Sequence, residues 1–199
     1  MNLMPYDELN MFRQMVTEYK NEPLTNDERE RLRDDIEDYI EFLLIEAYTY
    51  GNVQAMQDLG LLDNDPADLI NPDVMAQTIN DPVADKTYKQ RVREYLDDED
   101  STVEDFQRVA ETDATRVYNA GVVDGGKASG VQGVMKQWQT MQDDRVRDSH
   151  EYLQSMIVPL NDDFYTYDGD HARAPGLFSD PANNCNCRCS IRLIADNRG

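Results

Sequence analysis

Apolar positions in the first half of the chain recur every three or four residues. Past Thr25 they are Leu32, Ile36, Tyr39, Ile40, Leu43, Leu44, Ala47 and Tyr48, which form one face of an α-helix. The opposite face carries Arg29, Glu30, Arg33, Asp34, Glu37, Asp38 and Glu41 and is expected to meet water. Thr25-Asn26-Asp27-Glu28 has the form of a capping box, in which the Thr and Glu side chains satisfy each other's free amide groups. Gly51 is the expected stop. An earlier helix is expected over residues 6–19, with Leu9, Phe12, Met15, Val16 and Tyr19 inward. From 59 to 85 the pattern breaks at Asp63-Asn64-Asp65-Pro66, Asn71-Pro72 and Asp81-Pro82, because residues before proline avoid helical angles. That stretch is expected to be an irregular connector holding short helices, for instance over residues 72–79.

Helical spacing returns over residues 88–96 and breaks at Asp97-Asp98-Glu99-Asp100. Ser101-Thr102-Val103-Glu104 is expected to be a second capping box. Phe106, Val109, Ala110, Ala114, Val117 and Ala120 continue at helical spacing, and that helix is expected to end between Gly121 and Gly130. After Gly133 the period shortens. Strands are expected over 134–140, 156–159, 164–167 and 187–194, with a short helix over 145–153 bearing His150. In the last strand Cys187, Cys189, Ile191 and Leu193 would share a face, since strand side chains alternate. The fold class is therefore α+β: a helical N-terminal two thirds, then a small C-terminal unit of short strands and a short helix.

Charge narrows the partners. The 199 residues hold 40 acidic and 19 basic side chains, a formal net charge of -21. Residues 1–100 carry 25 acids and 9 bases, so -16; the rest carry 15 and 10, so -5. Such a chain repels phosphate backbones, so strong general DNA binding is not expected. Basic protein surfaces are the better match. No apolar run is long enough for a membrane span, and the first residues lack the basic and apolar regions of a secretion signal. Three cysteines lie within five positions, Cys185, Cys187 and Cys189, an odd count that is not a disulfide framework.

The C-terminal half carries an ordered set of chemically demanding residues. It begins at Thr112-Asp113-Ala114-Thr115-Arg116-Val117-Tyr118-Asn119-Ala120-Gly121. It continues through Trp138, Asp143-Asp144-Arg145-Val146-Arg147, His150, Phe164, Pro175 and Asn186-Cys187-Arg188-Cys189. This order, over residues 104–194, resembles the Mu F-like phage head morphogenesis proteins, the minor head proteins of tailed phages. The resemblance implies two regions: an acidic helical part over 1–100 with its connector at about 59–85, and a Mu F-like module over 101–199. It implies a minor structural protein of the virion, made in the bacterial host cytoplasm and associated with the portal or inner head. Its partners would be portal and capsid or scaffold proteins, and its work head assembly or DNA delivery by contact, without catalysis. Some relatives carry a toxin or enzyme domain beyond the Cys motif; none is expected here. An internal protein ejected with the DNA is an alternative.

Trp138, Asp144, Arg145, Arg147, His150, Pro175, Cys187 and Cys189 would then shape the module. Asp144 is expected to accept hydrogen bonds from Arg145 or Arg147 and fix a tight turn. Ser149 and His150 are adjacent on a helix and do not face each other, so a Ser-His catalytic pair is poor geometry. Two readings of the Cys/His set stand side by side. His150, His171, Cys187 and Cys189 offer a tetrahedral sulfur–nitrogen set suited to zinc, or the cysteines are small buried apolar residues beside a hydrogen-bonded core histidine. A metal-dependent hydrolase using His150, Asp170 and His171 is the rival from another class; it requires an open coordination position.

Overall fold

The structure is a computed structural model that describes residues 6–61, 65, 67 and 70–195, with the side chains of residues 6–9 outside that set. The Leu9 side chain and the turn residues Asp63, Asn64 and Pro66 therefore fall outside the described part. Among the described residues five α-helices come first: α1 (Tyr6–Asn21), α2 (Asn26–Leu59), α3 (Pro72–Asn80), α4 (Tyr88–Asp97) and α5 (Val103–Ala128). The C-terminal unit follows as β1 (Met135–Gln139), α6 (Asp148–Glu151), β2 (Ile157–Pro159), β3 (Phe164–Tyr165), β4 (His171–Ala172), α7 (Pro181–Asn184) and β5 (Ser190–Ile194). The α+β class is as expected.

Helix α2 begins at its expected capping box, where the Thr25 amide donates to the Glu28 carboxylate at 2.9 Å. It does not stop at Gly51 but runs on to Leu59, where Gly60 takes the left-handed conformation. Gly51 is a contact residue instead. A Cβ there would lie 2.1 Å from the Tyr118 carbonyl oxygen, and one on Gly121 would lie 2.4 Å from that of Tyr48. The two glycines let α2 and α5 cross with backbone against backbone. Gly121 likewise does not end α5, which continues to Ala128, inside the expected window. Its capping box is shifted by one: Thr102 pairs with Asp105, so Ser101 and Glu104 are not its partners. The reason is local, since the Ser101 hydroxyl is spent on the carbonyls of Tyr95 and Asp98.

Of the expected inward stripes, Phe12, Val16, Tyr19, Ile36, Ile40, Leu43, Leu44, Phe106, Ala110, Ala114 and Val117 are buried in one core, with Met15, Leu32 and Tyr39 half-buried against it. Glu37 departs from its expected water-facing place. It is 4% exposed, and Arg93 grips it through Nε and Nη2 at 2.5 and 3.0 Å. Helix α4 packs over that part of α2, and Arg93 brings the counter-charge that a buried carboxylate requires.

The motif residues of α5 each hold a joint. Asp113 accepts from Arg91 Nη2 with both carboxylate oxygens, at 2.6 Å each. Arg116 donates to the carbonyls of Thr78 and Ile79, closing the last turn of α3. Asn119 accepts from the Ile191 amide at 3.1 Å and donates to the Cys189 carbonyl at 3.2 Å. From α2, Asp58 accepts the Leu193 amide at 2.7 Å. Two helix side chains thus satisfy the outer edge of β5, which a lone edge strand would leave open.

The sheet order is β2-β1-β5, antiparallel throughout, with Trp138 opposite Ile191 and Lys136 opposite Leu193. Alternation along β1 sends Lys136 and Trp138 to the core side, both 0% exposed. Strands β3 and β4 form a separate two-stranded ribbon; β4 and α7 have no counterpart in the sequence pattern.

Candidate functional site

The site lies where β1, α6 and the segment leading into β5 meet. Residues 187–189 lead into β5, with Cys187 and Cys189 buried and Arg188 between them half-buried. Asn186 takes φ 57°, a left-handed turn that asparagine tolerates, and the turn is closed by the Cys187 amide on the Asn184 carbonyl at 3.1 Å. The 147–151 turn presents His150, whose ring is 2% exposed. Its Nδ1 lies 3.6 Å from Cys187 Sγ and 3.5 Å from Cys189 Sγ. Trp138 meets the imidazole edge-on at 5.3 Å, and Phe178 stacks on it at 5.3 Å. Phe164 also packs on the indole, edge-on at 5.1 Å.

Inside this apolar box the two thiols are shifted in opposite directions. The hydrogen bond from Cys189 holds the Cys187 thiol well below its ordinary value against the effect of burial, and His150 adds to it. The same bond, and burial after it, push the Cys189 thiol up. His150 Nε2 and Arg147 Nη1 are buried without a hydrogen-bond partner. Arg147 Nη2 donates to the Cys185 carbonyl at 2.5 Å. A cavity of about 10 Å³ opens beside His150, Cys187 and Cys189, lined also by Arg147 and Asn186.

The turn ahead of α6 is fixed differently from expectation. Asp143, not Asp144, is its carboxylate. Asp143 accepts the Arg145 amide at 3.2 Å and both guanidinium nitrogens of Arg188 at 2.8 and 2.7 Å. The Arg188 hydrogen bonds draw the Asp143 carboxyl down to about 2. Asp144 and Arg145 are exposed, because the turn closed by the Val146 amide on the Asp143 carbonyl leaves their side chains outside. Pro175 is buried in a turn closed by the Leu177 amide on the Ala174 carbonyl, with Gly176 at φ 83°.

Of the sequence-derived site residues, Trp138, His150, Cys187 and Cys189 converge, and Arg147 borders them. Among the described residues, the metal-ligating atoms that gather within 4.8 Å of one another are those of His150, Cys187 and Cys189. His171 does not join them. It is exposed on β4, with Nδ1 2.8 Å from Asp163 Oδ2 and its ring against Tyr165. Asp170 is occupied by Ser179 and Asn183 at 2.8 Å each, so the trio of His150, Asp170 and His171 is not assembled. Ser149 donates to Asn183 and not to His150. Phe178, Asn183 and Asn184 were missed by sequence reasoning. Asn184 exchanges hydrogen bonds with the Phe178 backbone at 2.9 and 2.7 Å, which places the ring under His150; the only signal was the uncharged pair before the cysteines.

Comparison with known proteins follows this architecture. Residues 73–192 match the family described as Phage Mu protein F like protein, a span that starts ahead of the motif-bearing stretch at 104–194. Over 88 residues the chain is 30% identical to the Minor head protein GP7 of Bacillus phage SPP1, covering 44% of this chain and 29% of that protein. Over 159 residues it is 23% identical to the NAD(+)--arginine ADP-ribosyltransferase EFV of Enterococcus faecalis, covering 64% of this chain and 32% of that enzyme. The chain thus spans about a third of the length of each of these relatives. No solved structure matches it.

Proposed function

The chain belongs to the Phage Mu protein F like family, and from that premise we propose that it works by contact as a minor component of a tailed-phage head, at the portal or inner head surface, during assembly. The observation that carries this is the family match, which runs from α3 into β5 and takes in the joints of Asp113, Arg116 and Asn119 and the His150, Cys187 and Cys189 cluster. The likeness to a minor head protein supports the same reading. So does the chemistry of the motif: Asp113, Arg116 and Asn119 are spent on internal joints, a use that suits a shaped part more than a reactive one. Glu30, Asp34, Asp35 and Asp38 are exposed along α2 and offer an acidic face to a basic portal, capsid or scaffold surface. Among the described residues no helix is long and apolar enough to cross a membrane.

Co-expression with portal and scaffold, followed by gradient sedimentation, tests the proposal. The chain should travel with portal-containing particles and leave them as salt is raised. Sedimentation only as free protein would refute it. The transferase likeness supplies a second assay. We read it as a shared module, so purified chain should not move ADP-ribose from NAD⁺ onto arginine. Measurable transfer would overturn the contact-only reading.

A further inference from the structure

Two thiols approach one imidazole nitrogen at nearly equal distances, 3.6 and 3.5 Å, in a water-poor box. A single ring nitrogen has one lone pair or one proton, so it can complete a hydrogen bond with only one of them. A metal ion between the three atoms satisfies all of them. Tetrahedral zinc with Zn–S of ~2.3 Å and Zn–N of ~2.0–2.1 Å sets sulfur and nitrogen about 3.6 Å apart, which is the separation found. Thiolate and imidazole select zinc-like ions over magnesium or calcium. Two thiolates also cancel a dipositive charge, so the filled site is neutral where burial of net charge is costly.

The fourth position has its own evidence. The cavity of about 10 Å³ beside the three ligands holds roughly one water. Arg147 lines it, and its Nη1 is buried with no partner. Cys185 is exposed and outside the ligand group, and His171 is paired with Asp163. We propose that His150, Cys187 and Cys189 bind one zinc-class ion through Nδ1 and two sulfurs, with a single water beside Arg147 as the fourth ligand. The ion pins α6 to the start of β5 and so closes the module; this does not depend on the head role.

The test uses the full chain, purified without an affinity tag. Elemental analysis should find about one zinc per chain, following the one such ligand group among the described residues. Protein stripped by chelator and titrated with Co²⁺ should show a thiolate charge-transfer band and the intense visible bands of a tetrahedral ion. Cys187→Ser and Cys189→Ser should each weaken the charge-transfer band, while Cys185→Ser and His171→Asn leave it intact. Chelator should lower the melting temperature of the wild type. Folded wild-type chain that holds no zinc and gives no Co²⁺ spectrum overturns the proposal. So does a spectrum lost in Cys185→Ser or His171→Asn. The wild-type titration decides the matter even where the cysteine variants fail to fold.

Discussion

Gly51→Ala tests the crossing of α2 and α5, on which the relation of the helices to the site is built. By helix propensity alone the change should stabilise, since alanine is favoured over glycine by ~1 kcal/mol inside a helix. The structure predicts the opposite. The new Cβ would sit 2.1 Å from the Tyr118 carbonyl oxygen, where ordinary contact begins at 3.4 Å, so the helices must part by the difference, 1.3 Å. A gap of that order forfeits a good part of the dispersion contact along the crossing. Overpacking costs roughly 1–3 kcal/mol, and a backbone-against-backbone clash belongs at the upper end. Set against the propensity gain, the net loss is about 2 kcal/mol, or roughly 4–8 °C in melting temperature for a chain of this size. Urea denaturation followed by circular dichroism and by calorimetry measures it. Gly121→Ala should behave alike, and the double variant should lose less than the sum because the first change has already opened the crossing. A Gly51→Ala protein as stable as the wild type, or more so, refutes the close-crossing argument.

Three further outcomes follow from buried polar groups. Asp113→Ala leaves Arg116 and Arg91 without their carboxylate and should cost about 3–5 kcal/mol, read as a lower urea midpoint. Asn119→Ala frees the Ile191 amide and the Cys189 carbonyl, costing on the order of 3 kcal/mol, and hydrogen exchange at Ile191 should quicken before that of α5. Lys136, fully buried with Nζ on the Arg173 carbonyl, has its pKa lowered to about 8 by burial, from 10.5. Between those values the unfolded chain binds the proton and the folded one does not, so stability should rise from pH 8 towards pH 10 by up to ~1.4 kcal/mol per unit. Lys136→Met should abolish that rise in urea midpoints measured across the window, and an equal slope in both proteins contradicts the assignment.

The periodic part of the fold was legible because burial there follows one-dimensional rules. Phe12, Val16, Ile36, Ile40 and Leu44 announce their faces by spacing alone. Trp138, His150, Cys187 and Cys189 stood out as costly residue types, and they do converge. What escaped detection depends on contacts between distant segments. Gly51 looks like a helix stop when only the local chain is considered, yet it is a seat for α5, as Gly121 is for α2. Glu37 looks solvent-facing until Arg93 arrives from α4. Lys136 occupies a core position that no pattern of apolar residues marks. Asp143 and Asp144 are chemically equivalent in sequence, and only the reach of Arg188 from β5's approach decides between them. His171 shares a residue type with His150 but not a location, since the β3–β4 ribbon carries it to Asp163.

The claim that this chain is built into the phage head is tested most directly by mass spectrometry of purified particles, before and after their DNA is released. The account predicts peptides of this chain in both, at a constant ratio to portal. Absence from both would contradict it.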